Sequence, residues 1–166
     1  MPKQSTMCAD NEFYKARIAA ASCNDRLASR EGASEETGID RTRLARIELG
    51  NIIPYPEEVI LMADTYDAPQ LTNHYCSKIC PLGKKTVPAA EMRSLDRLTI
   101  CIVTALGETS KIRETILEVA KDGNITPDEY DQVAQIAAAL ERIEVVAQET
   151  KLFISKNLKG GKRHGK

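Results

Sequence analysis

The sequence has no tryptophan, only two phenylalanines and no excess of charge of either sign, with 23 Lys and Arg against 24 Asp and Glu and a formal net charge of −1. A balance this even excludes a chain that holds nucleic acid by bulk attraction, and it equally excludes an acidic, disordered solvating chain. Any nucleic-acid role must rest on local placement. Long apolar runs are missing too. The most apolar stretch, Leu98 to Leu106, is flanked by Arg97 and Glu108 and is far short of the roughly 20 residues of a membrane span, so no membrane is expected as a partner. The opening residues, MPKQSTMCADNEF, lack the apolar centre of a secretory signal. Cys8 is therefore not a lipidation site, and a cytoplasmic location is expected. Five cysteines (Cys8, Cys23, Cys76, Cys80, Cys101) form no compact framework, and in a reducing compartment they read as free thiols. No glycine-rich phosphate loop, G-x-S-x-G elbow or paired acids with a cleft can be found, so neither an enzyme nor a cofactor is expected.

What is present is helical. With 166 residues and 42% hydrophobic content, the chain makes one or two small domains with an ordinary core. Apolar residues recur at steps of three and four, which predicts an all-α fold. The segment Pro81 to Pro88, PLGKKTVP, reads as a linker (81–88) between an N-terminal domain (11–80) and a C-terminal one (89–158). In the latter, Leu95, Leu98, Ile102, Ala105, Thr109, Ile112, Ile116 and Val119 form one stripe. Val133, Ile136, Leu140, Ile143, Ala147 and Ile154 form its partner. Asp122-Gly123 suits a helix end, and Thr126-Pro127-Asp128-Glu129 suits a capping box with proline at the first helical position. Residues 89–121 and 127–158 are thus expected to form a long antiparallel hairpin, with at most a local kink at Gly107. Two helices bury too little alone, so either a second hairpin, giving a homodimer, or the first domain should cover them. The basic tail, 159–166, reads as disordered.

Residues 29–50 carry the one recognisable mechanism. Ser29 can cap a short helix ending at Gly38, and Asp40 can cap a second that starts at Arg41 and ends at Gly50. The three-residue turn forces a steep crossing, small Ala33 and Ser34 allow close packing, and Ile39, Leu44 and Ile47 should point inward. The other side of the second helix carries Arg41, Thr42, Arg43 and Arg46, where a helix in a major groove meets bases and phosphates. Arg30, in the first turn of the preceding helix, is suited to a phosphate. Five arginines fall between Arg26 and Arg46, and turning them to one side while Glu35 and Glu36 face elsewhere would reconcile them with the neutral total. Glu48 reads as structural, tying the helix end to an amide or an arginine.

These features resemble the phage repressor/Cro-like (XRE-type) helix-turn-helix family over about Lys15 to Tyr75. The matching pieces are Ser29-x8-Gly38, Gly38-Ile39-Asp40-Arg41, Ile47-Glu48-x-Gly50, Pro56 to Ala63 and Asp67-Ala68-Pro69. The resemblance implies a five-helix domain that binds operator DNA, usually as a dimer. It puts base contacts on Arg41, Thr42 and Arg46 with Arg43 beside them, and a phosphate contact on Arg30. The chain departs from the family at Ala33, where a larger apolar residue is usual. The loop Asn51 to Pro56 also lacks positive charge, which leaves Asn51 and backbone amides to meet phosphate. Residues 1–85 hold eleven Lys and Arg against twelve Asp and Glu, so few phosphate contacts and a shallow salt dependence are expected.

Two other patterns are weaker. His74-x-Cys76-x3-Cys80 offers zinc-type ligands at the wrong spacing for a C-x2-C knuckle, and ordinary thiols are preferred there over a metal site or a redox pair. Glu118 to Glu129 mimics a calcium loop but lacks its carboxylates. The expected function is a sequence-specific DNA-binding transcriptional regulator that places the 41–49 recognition helix in the major groove of double-stranded DNA, as a dimer joined by the hairpin. The alternative is a noncatalytic interaction adaptor in which Arg41, Arg43 and Arg46 are a solvated or protein-binding face.

Overall fold

A computed structural model describes residues 10–121 and 123–160, with side chains to residue 157. The expectations for Cys8 and for tail residues 161–166 fall outside the described residues. As the periodicity predicts, the fold is all-α, and no strand occurs among the described residues. The elements are α1 (Glu12–Ala20), a 3-10 turn (Asp25–Ala28), α2 (Arg30–Thr37), α3 (Arg41–Glu48), α4 (Pro56–Thr65) and α5 (Gln70–His74), the last continuing as a π-turn (Tyr75–Ile79). They are followed by α6 (Gly83–Thr86), α7 (Leu95–Val119), a second 3-10 turn (Pro127–Glu129) and α8 (Tyr130–Gly160). Among the described residues two compact units result, one of residues 10–89 together with 155–160, the other of residues within 90–154.

The first unit closes around Phe13, Leu27, Ala33, Ile39, Leu44, Ile47, Val59, Met62, Tyr66 and Leu71, all buried. Each large aliphatic side chain here removes its full apolar surface from water, worth about 1.5–3 kcal/mol. Asn11 caps α1 by accepting from the Phe13 and Tyr14 amides at 2.9 and 3.2 Å, and its own amide donates to the Ile47 carbonyl at 3.0 Å. One side chain therefore starts α1 and fastens it to the end of α3.

Residues 81–88 are not the loose linker that their composition suggests. Gly83 is buried in α6, the Lys84 amide donates to the Cys80 carbonyl at 2.9 Å, and the Asn73 side chain donates to the Pro88 carbonyl at 3.0 Å. Proline and glycine here make a tight turn that folds back on the preceding π-turn.

In the second unit, α7 runs unbroken through Gly107, but it begins at Leu95 rather than residue 89, and α8 continues to Gly160. Residues 89–94 are outside any helix, and Arg93 among them forms an ion pair with the buried Glu149 at 2.8 Å. Glu108 accepts from Arg142 at 2.9 Å, so the two arms pair antiparallel. At the turn, Gly123 is left-handed, and Glu129 accepts from the Thr126 amide at 2.8 Å, as a capping box requires. Leu98, Ala105, Val119, Ala139 and Leu152 are buried. Leu95, Thr109, Ile116, Leu140, Ala147 and Ile154, all expected in the seam, are exposed. The reason is geometric: a helix with one neighbour covers only the narrow row facing it.

Candidate nucleic-acid interface

The local sequence accounts for the α2–α3 corner almost atom by atom. The Ser29 hydroxyl accepts from the Gly32 amide at 3.0 Å and starts α2. Gly38 ends it at φ +73°, a left-handed conformation that a side chain resists, and its amide donates to the Ser34 carbonyl at 2.8 Å. Ser34 donates to the Ile39 carbonyl at 2.6 Å, which locks the turn, and the Asp40 carboxylate then accepts from the Arg43 amide at 3.0 Å to start α3. Ile39, Leu44 and Ile47 are buried, as their spacing predicts.

Opposite that buried row, Arg41, Thr42 and Arg46 are exposed on one edge of α3. Asn51 is brought to the end of this edge by its amide, which donates to the Arg46 carbonyl at 2.8 Å, and its side chain is exposed. Arg41 has only a loose ion pair with Glu31 at 3.8 Å, both side chains being mostly in water. Arg46 has no carboxylate partner among the described residues.

The other two arginines expected at this surface are held by carboxylates. Arg43 donates from Nη2 to Glu58 at 2.8 Å and from Nε to the same carboxylate, and its guanidinium lies 4.3 Å from the centroid of the Tyr55 ring. The hydrogen bond from Arg43 holds the Glu58 carboxyl below the usual range. Arg30 is turned inward, donating from Nε to Glu48 at 2.7 Å. Arg26 pairs with Glu35, and with Glu36 at 3.0 Å. The expectation that five arginines turn one way while Glu35 and Glu36 face elsewhere is therefore corrected. Flexible acids within reach neutralise nearby guanidinium groups, and the free cationic surface shrinks to the edge of Arg41 and Arg46.

Behind α3 sits a network in which Arg17 escapes sequence reading altogether. Its guanidinium is 3% exposed and grips the 1% exposed Glu48 through Nε–Oε1 at 2.5 Å and Nη2–Oε2 at 3.0 Å. Its remaining Nη1 donates to the Leu27 and Ala28 carbonyls at 2.8 and 3.1 Å. Glu48 thus receives two arginines, Arg17 and Arg30, which fixes the inner end of α3 to α1 and to the start of α2. The signal available in the sequence was Arg17 on the same face of α1 as Phe13, four residues on.

The chain matches no family model, no curated protein and no solved structure. The chemistry of the site must carry the functional reading by itself. His74 packs edge-on against Phe13, its ring centroid 5.9 Å away, and burial lowers its pKa. Cys76 lies in the π-turn, and the Cys80 sulfur accepts from the Gly83 amide at 3.5 Å. Among the described residues no group of three or more His, Cys, Asp or Glu side chains converges as a metal site would, and no helix is long and apolar enough to cross a membrane.

Proposed function

We propose that this chain is a sequence-specific DNA-binding transcriptional regulator of helix-turn-helix type, in which α3 enters the major groove and the hairpin joins two copies. One observation carries the reading: an exposed row of Arg41, Thr42 and Arg46 on a short helix whose opposite face is clamped by Leu44, Ile47 and the buried Glu48. Base readout needs donors held in register, and a helix fixed from behind supplies that. Arg41 and Arg46 can each read a guanine edge, Thr42 a thymine methyl or a phosphate, and Asn51 a phosphate. Arg43 and Arg30 act as positioning residues in the resting protein. The regulator works in the cytoplasm, without catalysis or a cofactor.

The experiment is selection of bound fragments from a random DNA pool, followed by affinity against salt. An enriched motif should emerge, with a slope of about −0.9 for each phosphate neutralised. A pool without enrichment and a flat salt response would overturn the reading. The adaptor alternative is favoured by one specific observation: Ile53 and Tyr55, in the loop after α3, and Ile60 and Leu61, on α4, are exposed apolar side chains.

A further inference from the structure

From Lys15 to Arg43, every Lys and Arg of the first unit has a carboxylate within 3.8 Å. The end of the same unit is different. Residues 68–90 hold no Asp or Glu, yet they carry Lys78, Lys84 and Lys85, all exposed. None of these three has a carboxylate partner among the described residues. The end of α8 belongs to this unit as well and adds the exposed Lys156, and residues 150–166 again hold no Asp or Glu.

The three lysines start from one small patch of backbone. The Cys80 amide donates to the Tyr75 carbonyl at 2.8 Å to close the π-turn, and the Lys84 amide donates to the Cys80 carbonyl at 2.9 Å. A Cβ on the buried Gly83 would lie 2.3 Å from the Cys76 carbonyl oxygen, so α6 is pressed directly onto the π-turn. Burial lowers the pKa of His74, and Lys78 lies close enough to lower it further, so the charge here belongs to the lysines. Contacts continue from His74 to the recognition helix. His74 packs on Phe13 in the first turn of α1, and Asn11, the cap of that turn, donates to the Ile47 carbonyl at the end of α3. Glu12, the acid on this route, is taken by Lys15 at 2.9 Å.

We propose that Lys78, Lys84 and Lys85 form a second DNA-binding surface, which holds phosphates of the duplex without reading its bases. This rests on the reading above for the identity of the partner, but not on the contacts of α3. The residue type fits the task. An ammonium is a compact, hydrated point charge on a flexible stem and pairs with phosphate in many geometries, whereas base readout calls for the fixed fork of arginine. A duplex carries one negative charge per about 1.7 Å of its axis, dense enough to engage several neighbouring cations at once. A lipid surface fits less well. Interfacial binding needs an apolar helix face beside the cations, and the one large apolar side chain exposed on these two turns is Leu82, at 78%.

The test titrates the full chain onto a duplex of scrambled sequence over a range of salt concentrations. Lys78→Gln, Lys84→Gln and Lys85→Gln together should make the salt slope shallower by about 2–3 and weaken binding by about tenfold or more. The motif selected from a random pool should stay the same. Lys78→Arg, Lys84→Arg and Lys85→Arg together should keep the parent's slope, which separates loss of charge from loss of fold. A charge-matched set of exposed residues in the second unit, Lys111→Gln, Arg113→Gln and Lys121→Gln, should leave the slope unchanged. An unchanged slope in the first set, or an equal change in the charge-matched set, overturns the proposal. So does a parent that binds phosphatidylglycerol vesicles but not the duplex. The two DNA surfaces fail separately. A parent that selects no motif but keeps its lysine-dependent slope overturns the role of α3 alone, and a selected motif with a lysine-independent slope overturns the second surface alone.

Discussion

At the residue scale, charge is spent on holding α3 rather than on attracting DNA. Glu48 is the clearest case, because it is buried against two guanidinium groups and one of them, Arg17, is itself buried. Removing one partner of a buried pair leaves the other charge without compensation, at about 3–5 kcal/mol. Glu48→Gln should therefore lower the urea unfolding free energy by an amount near the lower end of that range, since Gln can still accept one hydrogen bond. A loss below about 0.5 kcal/mol, the level of an ordinary surface substitution, would show that the network is not a clamp. Arg43 behaves differently, because its partner Glu58 is on the rim and only partly buried. Glu58→Gln should release Arg43 as a cation on α3, tighten nonspecific DNA binding and steepen the salt slope by about 0.9. Arg46→Ala has no carboxylate to rearrange and should cost roughly 1–3 kcal/mol in specific binding, with relaxed preference at one base position in repeated selection. Unchanged affinity and unchanged base preference would remove Arg46 from the interface.

At the element scale, the start of α2 is held against the preceding 3-10 turn by close backbone contact. A Cβ added to Gly32 would lie 2.1 Å from the Arg26 carbonyl oxygen, because the 3-10 turn passes directly over the start of α2. At Gly38 a Cβ meets nothing within 4 Å, but φ is +73°. Gly32→Ala must displace main chain, while Gly38→Ala only strains one residue, by about 1–2 kcal/mol. Gly32→Ala should be the more destabilising of the two in thermal unfolding, and the reverse order would show that the turn yields easily. The contrast also shows what was legible in the sequence. Ser29, Gly38 and Asp40 act through local bonds within a few residues, and their spacing revealed both helix ends and the buried row of Ile39, Leu44 and Ile47. Gly32 owes its role to a carbonyl six residues earlier, and Arg17 owes its role to Glu48, 31 residues away. No periodicity encodes such meetings. The same holds for the pairing of Arg26, Arg30 and Arg43 with acids, which depends on side-chain reach. In the hairpin, periodicity revealed both arms and their turn. It overestimated the seam, because a heptad stripe does not say how many neighbours a helix has.

At the scale of the whole molecule, the two units draw their stability from different sources. The first has a continuous core of buried aliphatic and aromatic side chains. The second leaves more large apolar side chains in water than it buries. If a second copy supplies the missing cover, the hairpin's stability depends on chain concentration, while that of the first unit does not. Association that acts only on the folded state contributes RT ln(1 + [L]/Kd), about 2.7 kcal/mol at a hundredfold excess over the dissociation constant. Urea unfolding of the full chain followed by circular dichroism should therefore resolve two transitions. Raising the concentration a hundredfold, from about 1 to about 100 μM, should move the hairpin transition upward and leave the other in place. A single transition with a fixed midpoint at every concentration would mean that the hairpin is stabilised within its own chain and would overturn its role in joining two copies.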